Sequence, residues 1–230
     1  MIDSLLLIEE KRNLEIKGQC VAQGDQQKKY TAKEEVHSPT VNTSSVFLTA
    51  AIEAKEERDT RVHDVPNAFV QVDNHKRVIM KLKGKAAEYL ILCDPRLYRK
   101  FVMVENGSTV LYVELTKALY GQLKAALLFY NKFVKDIKEI GFKLNPYDPC
   151  VANRVIEGSQ QMICWHVDNV KSSHISKKVQ DDFENWLIDT YDRDSTGKIA
   201  GKLKKCTGKR LDYLGMVIDY SVPGEVMFDM

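Results

Sequence analysis

The chain has 230 residues, 44% hydrophobic and 29% charged, with a net charge of +2 at pH 7. That is the composition of an ordinary soluble globular protein, long enough for one domain or for two small subdomains around a shared core. It excludes a collagen-like, coiled-coil or disordered chain, and a charge this small neither proves nor opposes a nucleic-acid partner.

Residues 1–60 are polar and mixed. The run Ser4-Leu5-Leu6-Leu7-Ile8 is too short to span a membrane, and Glu9-Glu10 follows it where a signal peptide would carry a cleavage site. Leu14-Glu15-Ile16 and Cys20-Val21-Ala22 read as two short strands around Lys17-Gly18, and Gln23 to Glu35 as a loop. Ser44 to Glu57 reads as a helix, because Val46, Phe47, Ala50, Ala51 and Ala54 recur at helical spacing.

Residues 61–82 read as strand, bend, strand, with Val78, Met80 and Leu82 alternating with basic residues. Ala86 to Leu92 reads as a short helix stopped by Asp94-Pro95. Phe101–Glu105, Asn106-Gly107 and Val110–Leu115 form a hairpin pattern, since Asn-Gly tolerates the positive φ of a type I′ turn. Lys124 to Ile140 is the most amphipathic segment, with Leu127, Tyr130, Phe133, Val134, Ile137 and Ile140 on one stripe and Gly141 at its end.

Val151–Ile156 and Gln161–Val167 read as a second hairpin through Glu157-Gly158-Ser159, followed by a two-residue bend at Asp168-Asn169. Lys177 to Tyr191 reads as a helix with Val179, Phe183, Trp186, Leu187 and Tyr191 inward. Tyr213–Tyr220, Pro223-Gly224 and Val226–Phe228 read as a last hairpin. Hairpins mixed with single helices point to an α+β fold, an antiparallel sheet backed by helices.

Charge is uneven toward the end. Asp181, Asp182, Glu184, Asp189, Asp192 and Asp194 crowd one segment, and Lys198, Lys202, Lys204, Lys205, Lys209 and Arg210 the next. The five cysteines, at 20, 93, 150, 164 and 206, form no CxxC pair, as expected of reduced thiols in an intracellular protein.

Two fragments carry candidate chemistry. His63-Asp64-Val65-Pro66-Asn67-Ala68-Phe69 and Trp165-His166-Val167-Asp168-Asn169 each end a β-like run and present an acidic residue at a bend. They lie far apart in the chain, so only a folded domain brings them together. Two carboxylates on adjacent strand ends can hold two divalent ions for in-line phosphoryl transfer. The competing reading is that each is a turn aspartate.

The surrounding residues resemble the reverse transcriptases of copia-type LTR retrotransposons, most closely those of algae and diatoms. Asp64-Val65-Pro66-Asn67-Ala68-Phe69 resembles their first catalytic motif. Leu115-Thr116-Lys117-Ala118-Leu119-Tyr120-Gly121 and Lys124-Ala125-Ala126 resemble the next. Gly141-Phe142 with Asp148-Pro149-Cys150 matches the stretch before the metal-binding hairpin, and His166-Val167-Asp168-Asn169 stands where the family has an aromatic-Val-Asp-Asp box. Tyr213-Leu214-Gly215-Met216 looks like the following strand, and Lys17 to Gly24 like the fingers strand. The matches run in family order from residue 17 to about residue 220.

The resemblance implies a right-hand polymerase fingers–palm, with residues 1–60 mainly fingers, 61–230 palm with inserted fingers elements, and the thumb and RNase H domain lacking. It implies an RNA-directed DNA polymerase, in a fragmentary or degenerate copy, that uses Mg²⁺, or Mn²⁺ in its place, with an RNA template, a DNA primer and deoxynucleoside triphosphates. Protease, integrase and RNase H would be further polyprotein parts. The location would be cytoplasmic or in virus-like particles, without a membrane.

The implied catalytic residues are Asp64, Asp168 and Asn169, of which Asp64 and Asp168 would be metal ligands. Phe69 would stack beneath the sugar and exclude a 2′-hydroxyl; a core aromatic is its other reading. Gly121 would let backbone approach the nucleotide, or is a turn glycine, and Lys124 would join this nucleotide-binding set. Lys17 would reach the triphosphate, or is a solvated lysine. Lys202, Lys204, Lys205, Lys209 and Arg210 would meet primer–template phosphates, or form a solvated loop.

Two residues depart from the family pattern. Asn169 replaces the second aspartate of the box; its amide offers a carbonyl oxygen and no charge. Some viral RNA polymerases carry Asp-Asn at the analogous turn. Gln19 replaces the arginine of a Lys-x-Arg fingers pattern, removing a guanidinium that would clamp triphosphate. The alternatives are a catalytically inactive relic of the same fold and a non-catalytic nucleic-acid-binding module.

Overall fold

The computed structural model describes residues 1–10, 14, 16–31, 36–193, 197 and 201–230, with Lys17 and Tyr30 described in backbone only. In chain order its elements are β1 (Ile2–Glu10), β2 (Ile16–Ala22), α1 (Thr43–Lys55), β3 (Asp59–Asp64), β4 (Ile79–Lys83), α2 (Lys85–Cys93), α3 (Pro95–Tyr98), β5 (Met103–Glu105), β6 (Ser108–Glu114), α4 (Ala125–Glu139), β7 (Lys143–Leu144), β8 (Val151–Ile156), β9 (Ser159–His166), β10 (Asn169–His174), α5 (Lys177–Tyr191), β11 (Lys204–Thr207), β12 (Arg210–Tyr213), β13 (Met216–Asp219) and β14 (Met227–Asp229). Short 3-10 turns occupy Gly24–Tyr30, Ala68–Gln71 and Arg99–Phe101. Helices and antiparallel sheets mix along the chain, an α+β arrangement; among the described residues the one parallel pair is β1 with β4. No described helix is long and apolar enough to cross a membrane.

The chain divides into two compact units, residues 1–37 with 72–128 and residues 38–71 with 129–230. The first holds a five-stranded sheet in the order β2-β1-β4-β6-β5. Met80 and Leu82, alternate residues of β4, are buried with Ile2, Ala22, Leu111 and Ala87 of α2. The hairpin β5–β6 turns at Asn106 (φ 48°) and Gly107 (φ 74°), both positive, as the Asn-Gly pair demands.

Two expectations for this unit need correction. Leu14–Ile16 and Cys20–Ala22 are not two strands: β2 runs unbroken through Lys17-Gly18, and Glu15 lies outside the described residues. Its partner is β1, which contains the Ser4–Ile8 run and pairs from Ser4↔Ala22 to Glu10↔Ile16. The expected loop 23–35 begins with the 3-10 turn Gly24–Tyr30, and residues 32–35 lie outside the described set.

The second unit is built on a six-stranded, wholly antiparallel sheet in the order β11-β3-β10-β9-β8-β7. One face is covered by α4, from Phe129 onward, and by α5. Phe129, Phe133 and Ile137 recur every fourth residue and are fully buried, with Phe183, Leu187 and Tyr191 of α5. Trp165 of β9 packs edge-on to Phe133 at 5.1 Å between ring centroids. Each such aromatic, withdrawn from water, contributes about 2–3 kcal/mol.

The other face carries α1 and the three-stranded meander β12-β13-β14, with Phe47 against Phe228 at 4.6 Å. Tyr213–Tyr220 is not one strand. Leu214 (φ 53°) and Gly215 (φ 79°) form a two-residue turn, and Tyr213 pairs with Met216 across it.

Candidate active site

Asp64 is the last residue of β3, and Pro66, without an N–H, cannot extend the ladder. Beside it, β9 and β10 close a tight hairpin whose last pair is His166↔Asn169. The two turn residues are therefore Val167 and Asp168, not Asp168 and Asn169 as the sequence suggests. Val167 stands at φ 56°, an uncommon conformation for a β-branched residue. Such strain persists only where neighbouring structure enforces it. Here the ladder on both sides does so, and the Val65 N–H donates to the Asp168 carbonyl at 2.8 Å.

The register then aligns four residues in one row. His166 faces Asn169, Asn169 faces Asp64, and Asp64 faces Lys204 of β11. Residues directly opposite share a face, with Cβ atoms about 4.5–5.5 Å apart. Lys204 Nζ lies 3.7 Å from Asp64 Oδ2; the lysine side chain is 79% exposed and the aspartate 48%. Asn169 Oδ1 is buried and has no hydrogen-bond partner.

The next row, Trp165–Val170–His63–Lys205, turns to the helical face. His63 is fully buried, neither ring nitrogen has a hydrogen-bond partner, and burial pushes its pKa down to about 4 against the pull of Glu184. Glu184 accepts from Lys205 Nζ at 2.6 Å and from Arg61 Nη1 at 3.1 Å. Arg61 also binds Asp59 and Asp181, each at 2.7 Å. Ion pairs thus link α5, β3 and β11 on this face.

The remaining predicted residues fall as follows. Phe69 lies on the Ala68–Gln71 turn after Asp64 and is half-buried. Gln71 ties that turn to α5 through a 2.8 Å bond to the Tyr191 carbonyl. Lys202 and Lys209 are exposed, and Arg210 reaches Asp219 at 3.5 Å. Lys198 and Asp194 lie outside the described residues, as does the side chain of Lys17.

Gly121 and Lys124 belong to the first unit. Gly121 has φ 90°, and a Cβ there would stand 1.9 Å from the Ala22 carbonyl oxygen, so the backbone approach that needs a glycine is to Ala22. Lys124 is half-buried just before α4.

Sequence reasoning passed over a buried polar cluster two residues along β10. Lys171 Nζ, wholly buried, lies 2.5 Å from both Glu53 oxygens and 3.1 Å from Thr49 Oγ1. The Tyr220 hydroxyl donates to Glu53 at 2.6 Å. Burial, then the Glu53 charge, push the Tyr220 phenol far above its ordinary range. The signal was present: Lys171 lies on the same face of β10 as Asn169.

At the row's end stand the Asp64 carboxylate and the Asn169 amide carbonyl, which has no hydrogen bond, and Asp168 occupies the adjoining turn. That set fits a hard ion such as Mg²⁺, which takes one or two protein carboxylates and completes its shell with water and phosphate. Among the described residues, no group of three or more His, Cys, Asp and Glu side chains forms a metal cluster.

No family model matches the chain, and no curated protein matches it. Among solved structures it is similar to apo telomerase from Candida Tropicalis truncated from the C-terminal domain, with 10% identity and a TM-score of 0.45, over 99% of this chain and 55% of that one. The chain thus spans about half the length of that telomerase chain. At such a score the likeness does not establish a shared fold.

Proposed function

We propose that the second unit is the palm, and the first the fingers, of a copia-type reverse transcriptase that adds deoxynucleotides to a primer on an RNA template. One observation carries the reading. The Asn169↔Asp64 register and the Val65-to-Asp168 hydrogen bond gather at one sheet end the two acidic fragments that resemble the family's motifs.

In this reading Asp64 and Asp168 hold Mg²⁺, with Asn169 Oδ1 as a neutral donor. When bound, the ion supplies charge neutralisation at the triphosphate. Phe69 bounds the sugar site. The exposed Lys202 and Lys209 serve template phosphates. A second reading, a disabled relic, is favoured by Asn169, since one carboxylate fewer weakens transition-state stabilisation by several kcal/mol.

Primer extension on an RNA template with Mg²⁺ or Mn²⁺ tests both, comparing the chain with Asn169→Asp and Asp64→Ala. Extension by the unmodified chain, lost in Asp64→Ala, is the expected result. Extension only after Asn169→Asp supports the relic. Extension that survives Asp64→Ala overturns the site assignment.

A further inference from the structure

The last strand of the sheet delivers a cation to the candidate metal site. Lys204 stands directly opposite Asp64, and its ammonium lies 3.7 Å from that carboxylate. The backbone that carries Lys204 opposite Asp64 is fixed on both flanks. On the helical face, Lys205 is held by Glu184 at 2.6 Å, which sets the strand's facing and turns Lys204 toward Asp64. Just before the strand, the Leu203 N–H donates to Asp192 Oδ1 at 2.9 Å, and the Leu203 side chain is buried. Farther back, a Cβ on Gly201 would lie 2.5 Å from Pro66 Cβ, so the chain reaches β11 by passing against the proline two residues beyond Asp64.

We infer that Lys204 is a resident counter-cation of this site: it competes with a divalent ion for Asp64 and so sets the affinity for metal. The inference rests on reading Asp64 and Asp168 as metal ligands. On that reading the site has two carboxylates and a neutral amide, so one ammonium halves its net charge. A pair this exposed is weak and breaks readily, so the lysine yields to a dication rather than excluding it. While near, it also repels the ion, and that repulsion is screened by salt. Removing the ammonium should tighten binding by roughly three- to tenfold at low ionic strength, the size expected of one exposed charge near a dication.

The test is Mn²⁺ binding to the full chain, followed by the paramagnetic resonance of free Mn²⁺, which needs no nucleotide, template or turnover. Lys204→Met is compared with Lys204→Arg, with Asp64→Asn, and with Lys178→Met, which removes an equal charge from the exposed side of α5. The expected result is tighter binding in Lys204→Met alone, near-parent affinity in Lys204→Arg and Lys178→Met, and loss of the site in Asp64→Asn. The gain in Lys204→Met should shrink as KCl is added. If Lys204→Met binds no more tightly than Lys178→Met while Asp64→Asn still weakens binding, the competition is refuted and the metal site stands. If Asp64→Asn changes nothing, both the competition and the metal-site reading fail.

Discussion

Two acid–lysine pairs stand on the same face of the six-stranded sheet, and only their surroundings differ. Glu53–Lys171 lies at 2.5 Å with both side chains almost wholly buried. Asp64–Lys204 lies at 3.7 Å with both side chains substantially exposed. The buried pair has its remaining valences filled by Thr49 and Tyr220, and it joins α1, β10 and the residue that follows β13. The exposed pair stands at a sheet end beside an amide oxygen that has no partner. The same two functional groups thus serve as a structural tie in one place and as an exchangeable contact in the other. Desolvation decides which, since a buried charge without its partner is costly and an exposed one is not.

The sharpest way to break the comparison is Lys171→Met. It should cost about 3–5 kcal/mol in urea unfolding, because Glu53 would keep a buried charge without its cation. The double variant Glu53→Leu/Lys171→Met should recover most of that loss. A cost below about 1 kcal/mol for the single variant would mean that water reaches the pair and that the contrast is wrong.

His63 sharpens the contrast along one strand, since it is buried next to the exposed Asp64. Its pKa in the folded chain, about 4, lies below its ordinary 6.5. The unfolded chain therefore takes up the proton first as pH falls. The stability linked to His63 is intact above about pH 6.5 and is lost toward pH 4, by ~3 kcal/mol in all. His63→Leu should remove this component of the pH–stability curve while leaving stability at pH 7.5 nearly unchanged or higher, because neither ring nitrogen is hydrogen-bonded. A curve identical to the parent's between pH 4 and 6.5 would contradict the assignment.

Smaller effects follow in order. Tyr220→Phe removes one hydrogen bond to the buried Glu53 carboxylate and should lower stability by about 1.5–3 kcal/mol in the same assay. Lys204→Met should change stability by less than about 0.5 kcal/mol, since its pair is exposed. A larger loss would make Asp64–Lys204 a structural tie like the other.

Much of this fold was legible because local chemistry and global packing agree. The helix Lys177–Tyr191 has the bounds its pattern gives and buries four of the five expected residues, with Trp186 half-buried, and Asn106-Gly107 makes the turn its side chains favour. The failures share a cause. Val167 and Leu214 adopt positive φ although neither is a turn residue, so the bends they make carry no local signal. Tertiary pairing imposes them: β9 with β10, and β12 with β13. β1 was passed over because its apolar run does not alternate, and its long pairing with β2 is visible only in space.

Of the candidate site, Asp64, Asp168 and Asn169 were legible through motif resemblance. Lys204 was legible only as one of a basic group. Its place opposite Asp64 depends on the register of a strand that returns after α5, which no local pattern records. Likewise, Val170-Lys171-Ser172-Ser173-His174 reads as polar, yet all five residues are buried, with Lys171 held by Glu53 of α1 and Ser172 by Gln180 of α5.

The most direct test is a crystal structure of the chain grown with Mn²⁺ and a deoxynucleoside triphosphate, read by anomalous scattering at the manganese edge. The expected result is a peak between the Asp64 and Asp168 carboxylates, with the Lys204 ammonium displaced from Asp64. A triphosphate-bound structure with no manganese at that sheet end, or with the Asp64–Lys204 pair intact and the metal elsewhere, would contradict the assignment of these carboxylates to metal.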